Sequence, residues 1–282
     1  MVEHRPQQPR VTVVVPAYNE ARNLEIVLPR LKAYHQVVIV DGGSRDDTVS
    51  TVRRVAPWAE LIDQTRRGKG NALVCGFARA TGDVIVMFDA DGSADWREID
   101  LFVQALVDGA DFAKGSRALR AGGSDDLTIF RGLGNRGLTM LTNLMFRARF
   151  TDLCYGYNAF WRDVLPQLDL PGTQPGEMVW GDGFEIETVL NCRVARARLR
   201  VREVPSHELT RIHGGSNLRA IADGLRVLRT IWTEWRRPFA GQTRVEELAA
   251  HQRPTNTWSQ ELDEEPGATP ESSRETTRAS AA

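Results

Sequence analysis

The chain has 282 residues, 41% of them hydrophobic, with 36 Lys plus Arg against 37 Asp plus Glu and three cysteines. That is enough apolar material for a full core in one large or two small domains, and a net charge of −1 excludes a globally basic surface that would seek nucleic acid. Cys75, Cys154 and Cys192 show no C-x-x-C spacing, which argues against a zinc site or a disulfide framework and fits a reducing compartment. The first ten residues, MVEHRPQQPR, hold no apolar stretch, and nowhere do 18 apolar residues run together. Any membrane contact is therefore expected to be peripheral, and the expected location is the cytoplasm, up to the inner face of its membrane.

In chain order, Val11 to Val15 reads as a buried strand stopped by Pro16, followed by a loop and a helix carrying Leu24, Val27, Leu28 and Leu31 at helical spacing. Val37 to Val40 is a second buried strand, and DGGSRDDT after it supplies caps for a helix from about Thr48 to Val55. Leu61 and Ile62 mark a third strand, and RRGKGNALVCGFARA reads as a basic glycine loop opening a helix. The run DVIVMF predicts a fourth strand, and a helix from about Trp96 to Val107 and a fifth strand at Phe112 to Lys114 follow. Five alternations with short connections predict an α/β fold with a mostly parallel, doubly wound sheet flanked by helices.

Beyond Arg117 the alternation lapses. Ala121 to Asp126 reads as a flexible loop, Leu127 to Phe150 as a long helix and Tyr155 to Trp161 as a strand. A Pro/Gly-rich loop from Pro166 to Gly176, a helix from about Phe184 to Arg196, a last strand at Leu199 to Val204 and a helix from about Leu218 to Arg237 complete the pattern. In that last helix Ile221, Leu225, Leu228, Ile231, Trp232 and Trp235 lie largely on one face, with arginines elsewhere. Such a helix either lies on an anionic membrane or packs its apolar face on the sheet domain. The expected organisation is a flexible N-terminus (1–10), one catalytic domain (11–239) and a disordered acidic tail (240–282), since from Gly241 onward four Arg stand against eight Asp plus Glu.

The chemistry concentrates where the fourth strand ends, in FDAD. Asp89 and Asp91 emerge at the edge of the sheet where open α/β folds bind ligands. Two carboxylates one residue apart can share a hard dication whose remaining positions are filled by phosphate oxygens. Asp41 sits at a second strand end, and in the GKG loop Lys69 offers a cation while Gly68 and Gly70 allow close backbone approach to a ligand. The loop lacks the P-loop spacing, which excludes a nucleoside triphosphatase of that class.

PAYNE, VDGGSRDDT, GKGNAL, FDAD and KGSR, each after its strand or opening its helix, with Arg131 downstream, resemble the inverting family-2 glycosyltransferases of the GT-A fold. The resemblance covers about Val11 to Asn217, and within the family it is greatest to the dolichyl- or polyprenyl-phosphate mannosyl- and glucosyltransferases. It implies that Pro16, Tyr18, Glu20, Asp41, Lys69, Asp89 and Arg211 bind the nucleotide sugar. Asp89 and Asp91 would hold Mg²⁺ or Mn²⁺, and Arg117 and Arg131 would clamp an acceptor phosphate. The implied donor is GDP-mannose or UDP-glucose and the implied acceptor polyprenyl phosphate. A sugar hydroxyl acceptor would need a general base, for which Asp182, Glu185 and Glu187 in GDGFEIET are the candidates, Asp182 the first choice. Three positions depart from the family pattern: Gly42, where Asp is usual; Ser93, where Gln often follows the metal motif; and Asn217, where Lys is common. They keep open a catalytically silent nucleotide-sugar-binding protein; a second enzymatic reading keeps the donor site and replaces the lipid by a hydroxyl acceptor.

Overall fold

The computed structural model describes residues 5–214 and 220–237. The expected tail from 240 onward, and Asn217, lie outside the described residues.

Val11–Ala17 (β1), Gln36–Asp41 (β2), Glu60–Asp63 (β3) and Val84–Met87 (β4) form where the apolar runs predict strands, and they pair in parallel, Thr12 with Gln36, Val13 with Val86 and Ile39 with Leu61. Central β1 keeps Val13, Val14 and Val15 wholly buried, as a strand covered on both faces requires. Ala21–Val27 (α1), Thr48–Val55 (α2), Lys69–Arg79 (α3) and Ile99–Val107 (α4) connect these strands and Phe112–Ser116 (β5). Further along lie Gly123–Ser124 (β6), Ile129–Phe146 (α5), Asn158–Trp161 (β7), Ile186–Arg196 (α6), Val201–Pro205 (β8), His207–Glu208 (β9) and Ala220–Arg236 (α7).

The main sheet has seven strands in the order β3-β2-β1-β4-β7-β5-β8. Six are mutually parallel; β7 inserts antiparallel between β4 and β5, with Met87 opposite Asn158 and Phe112 opposite Phe160. A four-residue apolar run looks the same in either direction, so only the path of the returning chain decides its sense. Phe160 stacks on Phe112 and meets Phe77 edge to face, centring the core on this insertion. The segment expected to be a flexible loop at 121–126 instead contains β6, paired in parallel with β9 and pinned by a 2.8 Å contact from His207 Nε2 to Asp125.

Helix α7 is amphipathic, and the fold shows which of its residues are buried. Its inward face is Thr230, Ile231 and Glu234, all buried, and Glu234 pairs with Arg193 at 3.0 Å and accepts the Trp180 indole N–H at 2.8 Å. Ile221, Leu225, Leu228, Trp232 and Trp235 face outward, Ile221 being 71% exposed. Thus α7 docks through Ile231 and Val227, which pack in a small apolar cluster with Phe150, Leu153 and Cys192, and through the polar contacts of Glu234, while the rest of its apolar stripe faces outside. The neighbouring α5 likewise exposes Ile129, Phe130, Leu133, Met140 and Leu144. Among the described residues no helix is long and apolar enough to cross a membrane.

Candidate active site

The amide of Phe88 bonds to the Val14 carbonyl at 3.0 Å, continuing the β4 pairing to the sheet edge and projecting Asp89 and Asp91 just beyond it. Lys69, the first residue of α3, places Nζ 2.7 Å from Asp89 Oδ1 and 2.7 Å from Glu187 Oε1 on α6. Asp91 Oδ1 accepts the Ser93 amide at 2.9 Å and its hydroxyl at 2.7 Å, while Oδ2 lies 2.8 Å from Arg211 Nη2. Arg211 Nη1 is 3.7 Å from Glu20 Oε1, and Glu20 also accepts from the Asn23 side chain. Four carboxylates therefore meet two cations, leaving a surplus of two negative charges when all are ionised.

The electrostatics follow from this crowding. Burial, and then the charges of Asp91 and Asp89, raise the Glu20 carboxyl against the pull of Asn23 and Arg211. Desolvation, with Asp91 and Glu187 as like-charged neighbours, raises Asp89 even though Lys69 opposes the shift. Burial would lower Lys69, but Asp89 and Glu187 together outweigh it and hold the ammonium charged. Hard carboxylates with surplus negative charge suit a dication of the Mg²⁺ or Mn²⁺ kind whose other positions are completed by phosphate. Among the described residues no group of three or more His, Cys, Asp or Glu is gathered to hold a metal unaided. The Ser93 hydroxyl donates to Asp91 and so orients that carboxylate, with its oxygen lone pairs still unused by this bond.

At the end of β2, buried Asp41 accepts the amides of Gly43 at 2.9 Å and Ser44 at 3.0 Å through Oδ2, while Oδ1 is buried without a hydrogen-bond partner. An orphaned acceptor at this edge is what a nucleoside N–H or hydroxyl would complete. A Cβ at Gly42 would lie 3.2 Å from the Ala17 carbonyl oxygen and 3.3 Å from Tyr18 Cβ, so the departure from Asp relieves a tight approach to β1. Pro16 and Ala17 close β1 beside this turn, and Tyr18 stands exposed next to them.

Two expectations for the α3 loop are corrected. Gly68 and Gly70 approach protein rather than open space: a Cβ on either would collide with the Asp182 or Gly181 carbonyl oxygen. The amides of Gly70 and Asn71 bond to the carbonyls of Gly183 and Asp182 at 3.2 and 3.0 Å, closing the start of the helix. Asp182 is likewise not placed as a base. Its side chain is fully buried against Arg66, at 2.7 Å to Nε and 2.8 Å to Nη2, and accepts the Val179 amide at 2.8 Å. Burial alone would raise its carboxyl, but these hydrogen bonds, Arg66 first, bring it below the ordinary carboxylate range. Glu185 accepts the amides of Gly181 and Gly183, both at 3.1 Å, which leaves Glu187 as the one candidate of the three facing Asp89. Arg66 is the residue that reading by motif missed; its only signal was its place two residues before Gly68.

Arg117 is also corrected. All three of its guanidinium nitrogens are engaged, Nε and Nη2 with Asp152 at 2.7 and 3.0 Å and Nη1 with Glu208 at 2.9 Å, and the group lies 4.9 Å from the Tyr155 ring centre. It ties β5, β9 and the segment before β7 together, with no fork left for a phosphate. Arg131, near the start of α5, reaches Asp126 through Nη1 alone, at 3.2 Å to the carbonyl and 3.3 Å to the carboxylate.

The model of the family described as "Glycosyl transferase family 2" matches residues 12–168, more than half of the chain. The chain belongs to glycosyltransferase family 2. As a member it is a glycosyltransferase, and relatives with named activities resemble it outside the matched segment too. Undecaprenyl-phosphate mannosyltransferase of Micrococcus luteus is 29% identical over 74% of this chain and 87% of its own length. Dolichol-phosphate mannosyltransferase of Pyrococcus furiosus is 31% identical over 57% of this chain, and glycosyltransferase AglD of Haloferax volcanii is 29% identical over 81%. The family-2 chain spans 49% and 38% of the lengths of these last two. Glucosyl-3-phosphoglycerate synthase from Mycobacterium tuberculosis, solved with Mn²⁺, UDP and glucosyl-3-phosphoglycerate, superposes with a TM-score of 0.61 at 21% identity over 83% of this chain and 82% of that one. This likeness establishes the shared GT-A fold.

Proposed function

We propose that this family-2 enzyme transfers a hexose with inversion from a nucleotide sugar, GDP-mannose or UDP-glucose, to polyprenyl phosphate at a membrane surface. Asp89 and Asp91 would hold Mg²⁺ or Mn²⁺ against the donor diphosphate, and the metal, when bound, supplies Lewis-acid stabilisation of the departing nucleoside diphosphate. Asp41, Pro16, Tyr18 and Glu20 border the donor, Arg211 reaches toward its diphosphate, and Lys69 holds Asp89 and Glu187 in place.

The observation that carries the acceptor is the outward apolar stripe of α7, its inner face taken up by Ile231 and by Glu234 with Arg193 and Trp180, beside a bare face on α5. Two of the relatives are named for transfer to undecaprenyl and dolichol phosphate, which supports the same reading. The arginines on these helices, Arg131, Arg136, Arg226, Arg229 and Arg236, suit anionic lipid. The protein is expected to sediment with anionic vesicles, less so as salt screens the arginines. Changing Arg226, Arg229 and Arg236 together to Gln should weaken binding by roughly a hundredfold, at about 1 kcal/mol per arginine near the surface; undiminished binding would leave α7 without a membrane role.

The acceptor chemistry has its own test. A phosphate monoester, with a second pKa of about 6, arrives ionised near neutral pH and needs no base. Arg131→Ala should then lower kcat/KM for polyprenyl phosphate by roughly ten- to a hundredfold with the donor KM unchanged, and Glu187→Gln should cost no more than about tenfold. A hydroxyl acceptor is the second reading, favoured by Glu187 beside Asp89 and by the fold neighbour's complex with a glucosylated phosphoglycerate. It reverses the order: loss of the base would cost about 10² to 10⁴. Nucleoside diphosphate release from a panel of nucleotide sugars, with each acceptor in turn, decides between them.

A further inference from the structure

Lys69 and Arg211 each neutralise one carboxylate of the FDAD motif, but they are held very differently. Lys69 is gripped from two sides at 2.7 Å, and its side chain is 17% exposed. Arg211 has one close contact, 2.8 Å to Asp91, and a loose 3.7 Å approach to Glu20, with its side chain 34% exposed. Its backbone, by contrast, is strapped to the motif. The Ile212 amide bonds to the Asp91 carbonyl at 3.1 Å and the Leu209 amide to the Ser93 carbonyl at 2.9 Å. The Asn23 side chain holds the His213 carbonyl at 3.2 Å, and the Ile212 side chain fills the space where a Cβ on Gly92 would stand. A fixed backbone with a singly held guanidinium describes a side chain that can turn without moving its segment.

We propose that Arg211 is a displaceable counter-ion: it neutralises Asp91 while the site is empty and turns to the donor diphosphate when metal and nucleotide bind together. The proposal rests on Asp89 and Asp91 being the metal pair. A dication on Asp91 Oδ2 and a guanidinium at 2.8 Å from the same oxygen would repel one another. Metal without nucleotide must therefore compete with Arg211, whereas a diphosphate gives the guanidinium a new bidentate partner and removes the competition. The coupling is reciprocal, nucleotide strengthening metal binding and metal strengthening nucleotide binding.

The test measures binding of free Mn²⁺ by the loss of its solution electron-spin signal, and binding of UDP and GDP by calorimetry, on the full chain. Arg211→Gln should bind free Mn²⁺ roughly three- to tenfold more tightly than wild type, the value of a partly exposed ion pair that no longer competes. With Mn²⁺ present, the same variant should bind the preferred nucleoside diphosphate roughly ten- to a hundredfold more weakly. Arg211→Lys should leave free Mn²⁺ binding near wild type, and Arg54→Gln, which removes the same charge from a surface pair with Glu25, should change neither. If Asp91→Asn loses Mn²⁺ while Arg211→Gln, folded by circular dichroism, gains none, the counter-ion role is overturned and the metal pair stands. If Asp91→Asn keeps wild-type Mn²⁺ affinity, the metal pair falls and this proposal with it.

Discussion

Asp91→Asn is expected to abolish turnover, by about 10³-fold or more, in a protein that folds as wild type. The change keeps the volume of a nearly buried side chain, and an amide oxygen can still accept from the Ser93 amide and hydroxyl. What disappears is the charge. A dication stabilises the negative charge that builds on a departing diphosphate by several kcal/mol, and about 4 kcal/mol corresponds to roughly 10³ in rate. Initial rates of nucleoside diphosphate release, with circular dichroism as the fold control, measure the effect. Transfer that persists at full rate in EDTA would refute a metal at this position.

The second large effect is on stability. Asp182→Asn should cost about 3 kcal/mol, the low end for breaking a buried pair, because the Arg66 guanidinium loses its ionised partner but keeps the Gln174 carbonyl. The pH dependence has a definite sign. The carboxyl of Asp182 is lowered in the folded chain, so its contribution is complete above its unfolded value of about 3.9 and is lost as pH falls through the lower folded value. Urea unfolding at neutral pH and near pH 3, inside this window, should therefore show the wild type losing part of this increment on acidification, and Asp182→Asn lacking it at both. A variant with a wild-type unfolding midpoint but turnover reduced a hundredfold would return Asp182 to the role of base.

Within one short acidic segment, tertiary contacts rather than local preference set each residue's role. GDGFEIET presents three acids within six positions, and local rules distinguish them only as helix-start residues favoured by the dipole. In the fold their heads diverge: Asp182 to Arg66, Glu185 to the backbone of its own turn, Glu187 to Lys69. Likewise KGSR marks Arg117 as a phosphate-binding candidate, yet Asp152 and Glu208 close on it from segments that nothing local connects. For α7 the apolar stripe is plain from its spacing, but which residues face inward is set by tertiary partners: Arg193 and Trp180 for Glu234, and the Phe150, Leu153 and Cys192 cluster for Ile231.

By itself the sequence determined the strands, most of the helices and the position of Asp41, Asp89 and Asp91 at the ligand edge. These follow from periodicity, caps and strand ends, which act over a few residues. Only the tertiary structure decided the antiparallel sense of β7, the outward face of α7 and which charge meets which. Asp182 and Arg66 are 116 positions apart, and Lys69 and Glu187 are 118 apart. An arginine or glutamate has the same local preference whichever partner its head reaches, so its role is set when the closed chain brings a countercharge within a few ångströms in a site too dry for water to substitute.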